Sequence, residues 1–136
     1  MNEIKCASLM VGDWIMDEHG FPMQIEMVGE NYCYANFEGN EGDPWEFDDK
    51  DYPCYGIPLT KDVLAKAGYK HPSNIDCKWE YAIEGYYNYF SLMVYDDGIY
   101  VNYDMYGEEL PIHYLHELQH LMRCNGIAEK ADNIKI

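Results

Sequence analysis

Basic residues are scarce in this chain. Nine Lys and Arg stand against 25 Asp and Glu, and the formal net charge is -16 over 136 residues. Negative charge of that size repels nucleic-acid phosphates and anionic lipid headgroups. Direct binding of DNA or RNA through a basic face is therefore not expected, and neither is membrane association. Long apolar runs are missing too. No segment approaches the roughly 20 apolar residues that span a bilayer. No basic stretch leads into an apolar one near the start, so nothing suggests export. Closely spaced cysteines are also lacking. Cys6, Cys33, Cys54, Cys77 and Cys124 are odd in number and none lies near another in sequence, which excludes C-x-x-C redox motifs and zinc ribbons. Taken singly, each reads as a small core residue. The cytoplasm, with its reduced thiols, is the expected compartment. There is no phosphate-cradling glycine loop, no G-x-S-x-G elbow, no internal repeat and no low-complexity segment.

What is present suits one domain, residues 1–136, able to bury a core without staples. Hydrophobic residues make up 48% and tyrosines number 14, so disorder is not expected. After the turn signal Gly12-Asp13 comes the short apolar run Trp14 to Met16, and Glu18 to Gly20 marks a second turn. The stretch PMQIEMV alternates, with Met23, Ile25 and Met27 inward and Gln24 and Glu26 outward, the period of a half-buried strand. Asn31 to Phe37 reads as another strand. Several strands and turns in so short a span predict a curled antiparallel sheet that could close like a small barrel. Glu38 to Pro53 is rich in acid and reads as a solvated loop with room for a short strand at Trp45 to Phe47. It lacks the carboxylate register of a calcium loop.

A helix is predicted near Thr60 to Ala67. Thr60 serves as its cap, Val63, Leu64 and Ala67 as its apolar side, and Gly68 as its stop. From Cys77 to Met105 the pattern returns to strands, with a turn at EGYYN and a hairpin around Asp97-Gly98. A second helix is predicted from Ile112 to Asn125, with Pro111 near its first position. The fold class is α+β: a curled antiparallel sheet with two main helices.

That second helix contains HELQH, His116 to His120, which matches the H-E-x-x-H pattern of zinc metalloproteases. In such a site the two histidines hold zinc and the glutamate polarises the metal-bound water. Here His116 and His120 would be ligands and Glu117 the catalytic base. At about 100° per residue, Ile112, Leu115, Leu118, Leu121 and Met122 form an apolar arc, and His113, His116 and His120 share the other side. A shared face suits a metal, but it also suits a solvated polar surface. A third ligand is wanting. Arg123 occupies the glycine position of the longer metzincin pattern, which leaves Glu129, Asp132 or His113. Packing or surface histidines are the simpler reading.

LMVGDWI, GIPLTKDVLAKAGY and YLHELQHLMRCNG, in this order, resemble a family of small uncharacterised proteins from Bacteroidetes genomes, their phages and mobile elements. The matching positions are Leu9 to Trp14, Ile57 to Thr60 and His116 to Leu121, and the acidic middle matches least. The resemblance implies that the positions of Glu117 and His120 tolerate glutamine and asparagine, which a zinc hydrolase would not. It supplies no activity.

Tyr81, Tyr86, Tyr87, Tyr89, Tyr95, Tyr100, Tyr103 and Tyr106 crowd the second half. Phenol rings bury apolar area while keeping a polar tip, which suits binding surfaces. Asp96 and Asp97 read as hairpin caps rather than catalytic acids. The sequence thus favours binding over chemistry: a small acidic protein that meets a partner with a basic surface, with Tyr95, Tyr100 and Tyr103 as candidate binding face. In a sharper form, the acidic surface imitates nucleic acid. No cofactor is expected. The alternative is a zinc-dependent hydrolase using His116, His120 and Glu117, and only that reading calls for zinc.

Overall fold

A computed structural model describes residues 2–40, 42–71, 77–81, 91–103 and 108–136. Its elements run β1 (Glu3–Ile4), a 3-10 turn (Cys6–Ser8), β2 (Trp14–Met16), β3 (Pro22–Val28), β4 (Tyr32–Asn36), β5 (Trp45–Asp48), β6 (Cys54–Gly56), α1 (Lys61–Lys66), β7 (Tyr69–Lys70), β8 (Lys78–Tyr81), β9 (Leu92–Tyr95), β10 (Gly98–Tyr103), β11 (Glu108–Ile112), α2 (Leu115–Cys124) and α3 (Ala128–Asp132). The fold is α+β, with two antiparallel sheets. The chain divides into two compact units: Met1–Pro58 with Tyr114–Asn133, and Leu59–His113 with Ile134–Ile136. Among the described residues no helix is long and apolar enough to cross a membrane.

The first unit holds a six-stranded sheet in the order β1-β6-β2-β3-β4-β5, with α2 and α3. The sheet is curled around Ile15, Met23, Ile25, Cys33, Ala35 and Phe47, all buried. The curl is visible in the placement of β4 and β6. Three inter-strand steps of ~4.8 Å would set them ~14 Å apart in a flat sheet, yet the sulfurs of Cys33 and Cys54 lie within 4.8 Å of each other. The backbone N–H of Cys6, just past edge strand β1, donates to Asp49, just past edge strand β5, at 2.9 Å. That bond ties the two edges together.

Strand β3 follows the expected alternation only part of the way. Met23 and Ile25 are buried, but Met27 is 44% exposed. A register shift between Ile25 and Met27 in the pairing with β4 explains the difference. One extra residue in a strand turns every later side chain to the opposite face. The acidic segment yields the short strand β5, paired along β4.

The second unit holds a sheet in the order β11-β10-β9-β8-β7 and α1. Thr60 caps α1, its hydroxyl accepting from the Val63 N–H at 3.2 Å. Leu64 and Ala67 are buried, and Gly68 stops the helix at φ 101, where a Cβ would be strained. The Asp96-Asp97 turn joins β9 to β10, with Tyr95 opposite Gly98. The predicted turn at EGYYN lies outside the described residues, as do Tyr86, Tyr87, Tyr89 and Tyr106.

Pro111 corrects the helix boundary. It lies in β11 opposite Tyr100, and α2 begins only at Leu115. Because β11 is an edge strand, a proline there gives up no ladder bond on its unpaired side. The helix-start preference of proline and its tolerance at a sheet edge are indistinguishable in sequence.

Candidate functional site

The HELQH segment lies in the first turns of α2. Glu117 turns its carboxylate back to the helix start, where Oε1 accepts from the Tyr114 N–H at 2.8 Å. This is the glutamate half of a capping box, and it satisfies a backbone donor that the helix cannot. His120 Nε2 lies 2.6 Å from Asp13 Oδ2. His116 is buried, its ring stacked on Tyr114 at 5.8 Å and edge-on to His120 at 5.7 Å. Its Nδ1 has no hydrogen-bond partner among the described residues. Burial pushes the His116 pKa down, with His120 adding to the effect and Asp13 and Glu117 opposing it. A ring held neutral costs less to bury than a charged one.

The buried side of α2 is wider than the expected apolar arc. Leu115, Leu118 and Met122 are buried as predicted, but His116 and Gln119 are buried with them, so His116 does not lie on a solvated face. Gln119 is fully enclosed and uses its whole amide. Its Oε1 accepts from the Trp14 N–H at 2.8 Å, and its Nε2 donates to the Gly12 carbonyl at 2.8 Å and the Ala131 carbonyl at 2.9 Å.

These contacts join two segments far apart in sequence. Leu9 to Trp14 forms a tight loop whose Asp13 is fully buried. One Asp13 oxygen accepts from the Met10 N–H at 2.8 Å and also meets His120, while the other takes Arg123 Nη1 at 2.5 Å. Arg123 also reaches Asp132 of α3 at 2.9 Å. Gly12 has φ 95, and a Cβ there would stand 2.6 Å from an Asp132 oxygen, so glycine is required twice over. The G-D-W stretch and the Q-H-x-x-R stretch of α2 are thus two halves of one polar lock. A buried carboxylate with a cationic partner and several donors is satisfied.

Among the described residues, the one group of three or more potential metal-binding side chains within ligand range is Cys6, Cys33 and Cys54. His116 and His120 do not gather a third ligand there. The three cysteines are fully buried, and Cys6 Sγ lies 3.4 Å from Cys33 Sγ. They come from the 3-10 turn, β4 and β6. Burial raises the Cys6 thiol to about 12. Cys33 is pushed further up, first by its hydrogen bond to Cys54 and then by burial. Cys54 receives that bond and is held below the ordinary thiol value by it. Sequence spacing gave no sign of this cluster, since gaps of 27 and 21 residues carry no ligand signature and only the curl of the sheet closes them.

The candidate tyrosine face lies on β9, β10 and β11. Tyr95 is exposed, and its ring lies 5.6 Å from that of Tyr100. The Tyr95 hydroxyl donates to Glu109 at 2.6 Å and the Tyr100 hydroxyl to Asp97 at 3.2 Å. The bond to Glu109 pushes the Tyr95 phenol up to about 12, so both rings stay neutral beside their carboxylates at physiological pH. Tyr103 pairs with Glu108 at the end of β10, and its side chain lies outside the described residues. Compared with protein-family models, curated proteins and solved structures, the chain shows no significant match.

Proposed function

We propose that the protein is a binding protein whose Tyr95–Tyr100 face takes Lys or Arg side chains from a partner with a basic surface. The observation that carries this reading is the pairing of two adjacent phenol rings with Glu109 and Asp97. Ring faces attract a cation by ~0.5–1 kcal/mol at exposed sites, and fixed carboxylates beside them add direction. The net charge of -16 would speed encounter with a basic partner and discourage acidic ones. Five free thiols fit a reducing compartment such as the cytoplasm. The hydrolase reading has less support, because Glu117 serves the helix cap and His120 the Asp13 lock.

The test is capture from lysate by immobilised protein at low and high salt, run beside a Tyr95→Ala/Tyr100→Ala variant. The expected result is a basic protein retained at low salt, released at high salt and lost with the variant. Equal capture by the variant, or no enrichment at either salt, overturns the proposal.

A further inference from the structure

Cysteine in a core usually acts as a small apolar side chain, and such packing does not require several sulfurs to converge. Here three of the five converge. All are fully buried, their sulfurs lie within 4.8 Å of one another, and Cys33 reaches the other two only because the sheet curls. A carboxylate stands beside them. Asp49 accepts from the Cys6 N–H at 2.9 Å. A half-buried carboxylate is better compensated beside a cation than beside protonated thiols.

We propose that Cys6, Cys33 and Cys54 bind a divalent thiophilic cation of the zinc type as its three protein ligands, with Asp49 holding the Cys6 backbone beside it. Zinc–sulfur bonds of ~2.3 Å in tetrahedral or trigonal array set ligand sulfurs ~3.8–4.0 Å apart, inside the range spanned here. Three thiolates around a divalent ion leave one net negative charge. The metal replaces the thiol protons, so one ion entering three neutral thiols releases three protons to solvent. Affinity therefore falls as the pH falls. Because all three ligands are fully buried, the site is structural: it would pin the 3-10 turn, β4 and β6 together across the curl.

The experiment uses a Cys77→Ser/Cys124→Ser background, which removes the two thiols outside the cluster. Reduced, chelator-stripped protein is titrated with Cd(II), and the thiolate-to-cadmium charge-transfer band is followed in the ultraviolet. The band should saturate at one cadmium per chain and be displaced by Zn(II). Cys33→Ala should abolish it, and Asp49→Asn should weaken binding about 10- to 100-fold. Because Cys33→Ala leaves a void in the core, native mass spectrometry of the background protein supplies a readout independent of that variant. It should show one zinc per folded chain, with the displaced protons missing from the mass. Absence of both the band and the adduct on folded, reduced protein overturns the proposal. So does a band that persists in folded Cys33→Ala, or binding of Cu(I) with no response to Cd(II) or Zn(II).

Discussion

His116 shows how one side chain can mislead a reading by pattern. Its spacing from His120 suits a zinc site, while its burial and its stack on Tyr114 suit a packed neutral ring. The pKa shift turns this into a measurable effect. Burial, opposed by Asp13 and Glu117 and helped by His120, holds the folded-state value below 6.5. When pH drops below the unfolded value, the unfolded chain takes up a proton that the folded chain refuses. Stability contributed by the neutral ring is thus fully present above about 6.5 and is lost as pH falls toward the folded value. Replacing His116 by Phe should keep the stack and remove this titration. Urea midpoints measured between pH 7.5 and 5 should fall for the parent and fall less steeply for His116→Phe. Parallel slopes would show that the ring does not titrate differently in the two states.

At the scale of elements, α2 is fixed by polar chemistry as much as by its apolar stripe. Glu117 closes the first turn through the Tyr114 N–H. Substitution to Ala strands that donor and should cost about 0.5–2 kcal/mol, the range for lost caps. Glu117→Gln keeps an acceptor oxygen and should lose much less. A side chain held only for hydrolysis would predict no such difference in stability between Ala and Gln, so chemical denaturation of the two variants separates the readings. The same element shows what sequence could carry. Thr60 and Gly68 bound α1 as predicted, because capping and left-handed stops are local effects. The start of α2 is not legible in the sequence because Pro111 satisfies two local rules, and its neighbour β10 decides between them. Met27 was turned outward by a bulge, which depends on how two strands pair. The Asp13 lock and the cysteine cluster stayed invisible for the same reason: their partners lie far along the chain.

At the scale of the whole molecule, the net charge of -16 sets two opposing responses to salt. Repulsion among carboxylates is long-range and is screened once the Debye length shrinks from ~30 Å at 0.01 M to ~10 Å at 0.1 M. Attraction within ion pairs is screened too, but the pairs here resist it unequally. The exposed His19–Glu18 pair contributes little at any ionic strength. The Asp13 pairs with Arg123 and His120 lie around a fully buried carboxylate, where salt penetrates poorly. Repulsion should therefore lose more than attraction, and the compact state should gain. Melting temperature at neutral pH is expected to rise as NaCl increases from about 0.01 to 0.2 M, then level off as screening saturates. Unfolding that becomes easier with added salt would mean that attractive pairs outweigh the repulsion. The same screening should weaken capture of a basic partner, because opposite charges across an interface lose their attraction as the carboxylates lose their mutual repulsion. Stability and binding are thus expected to move in opposite directions with salt.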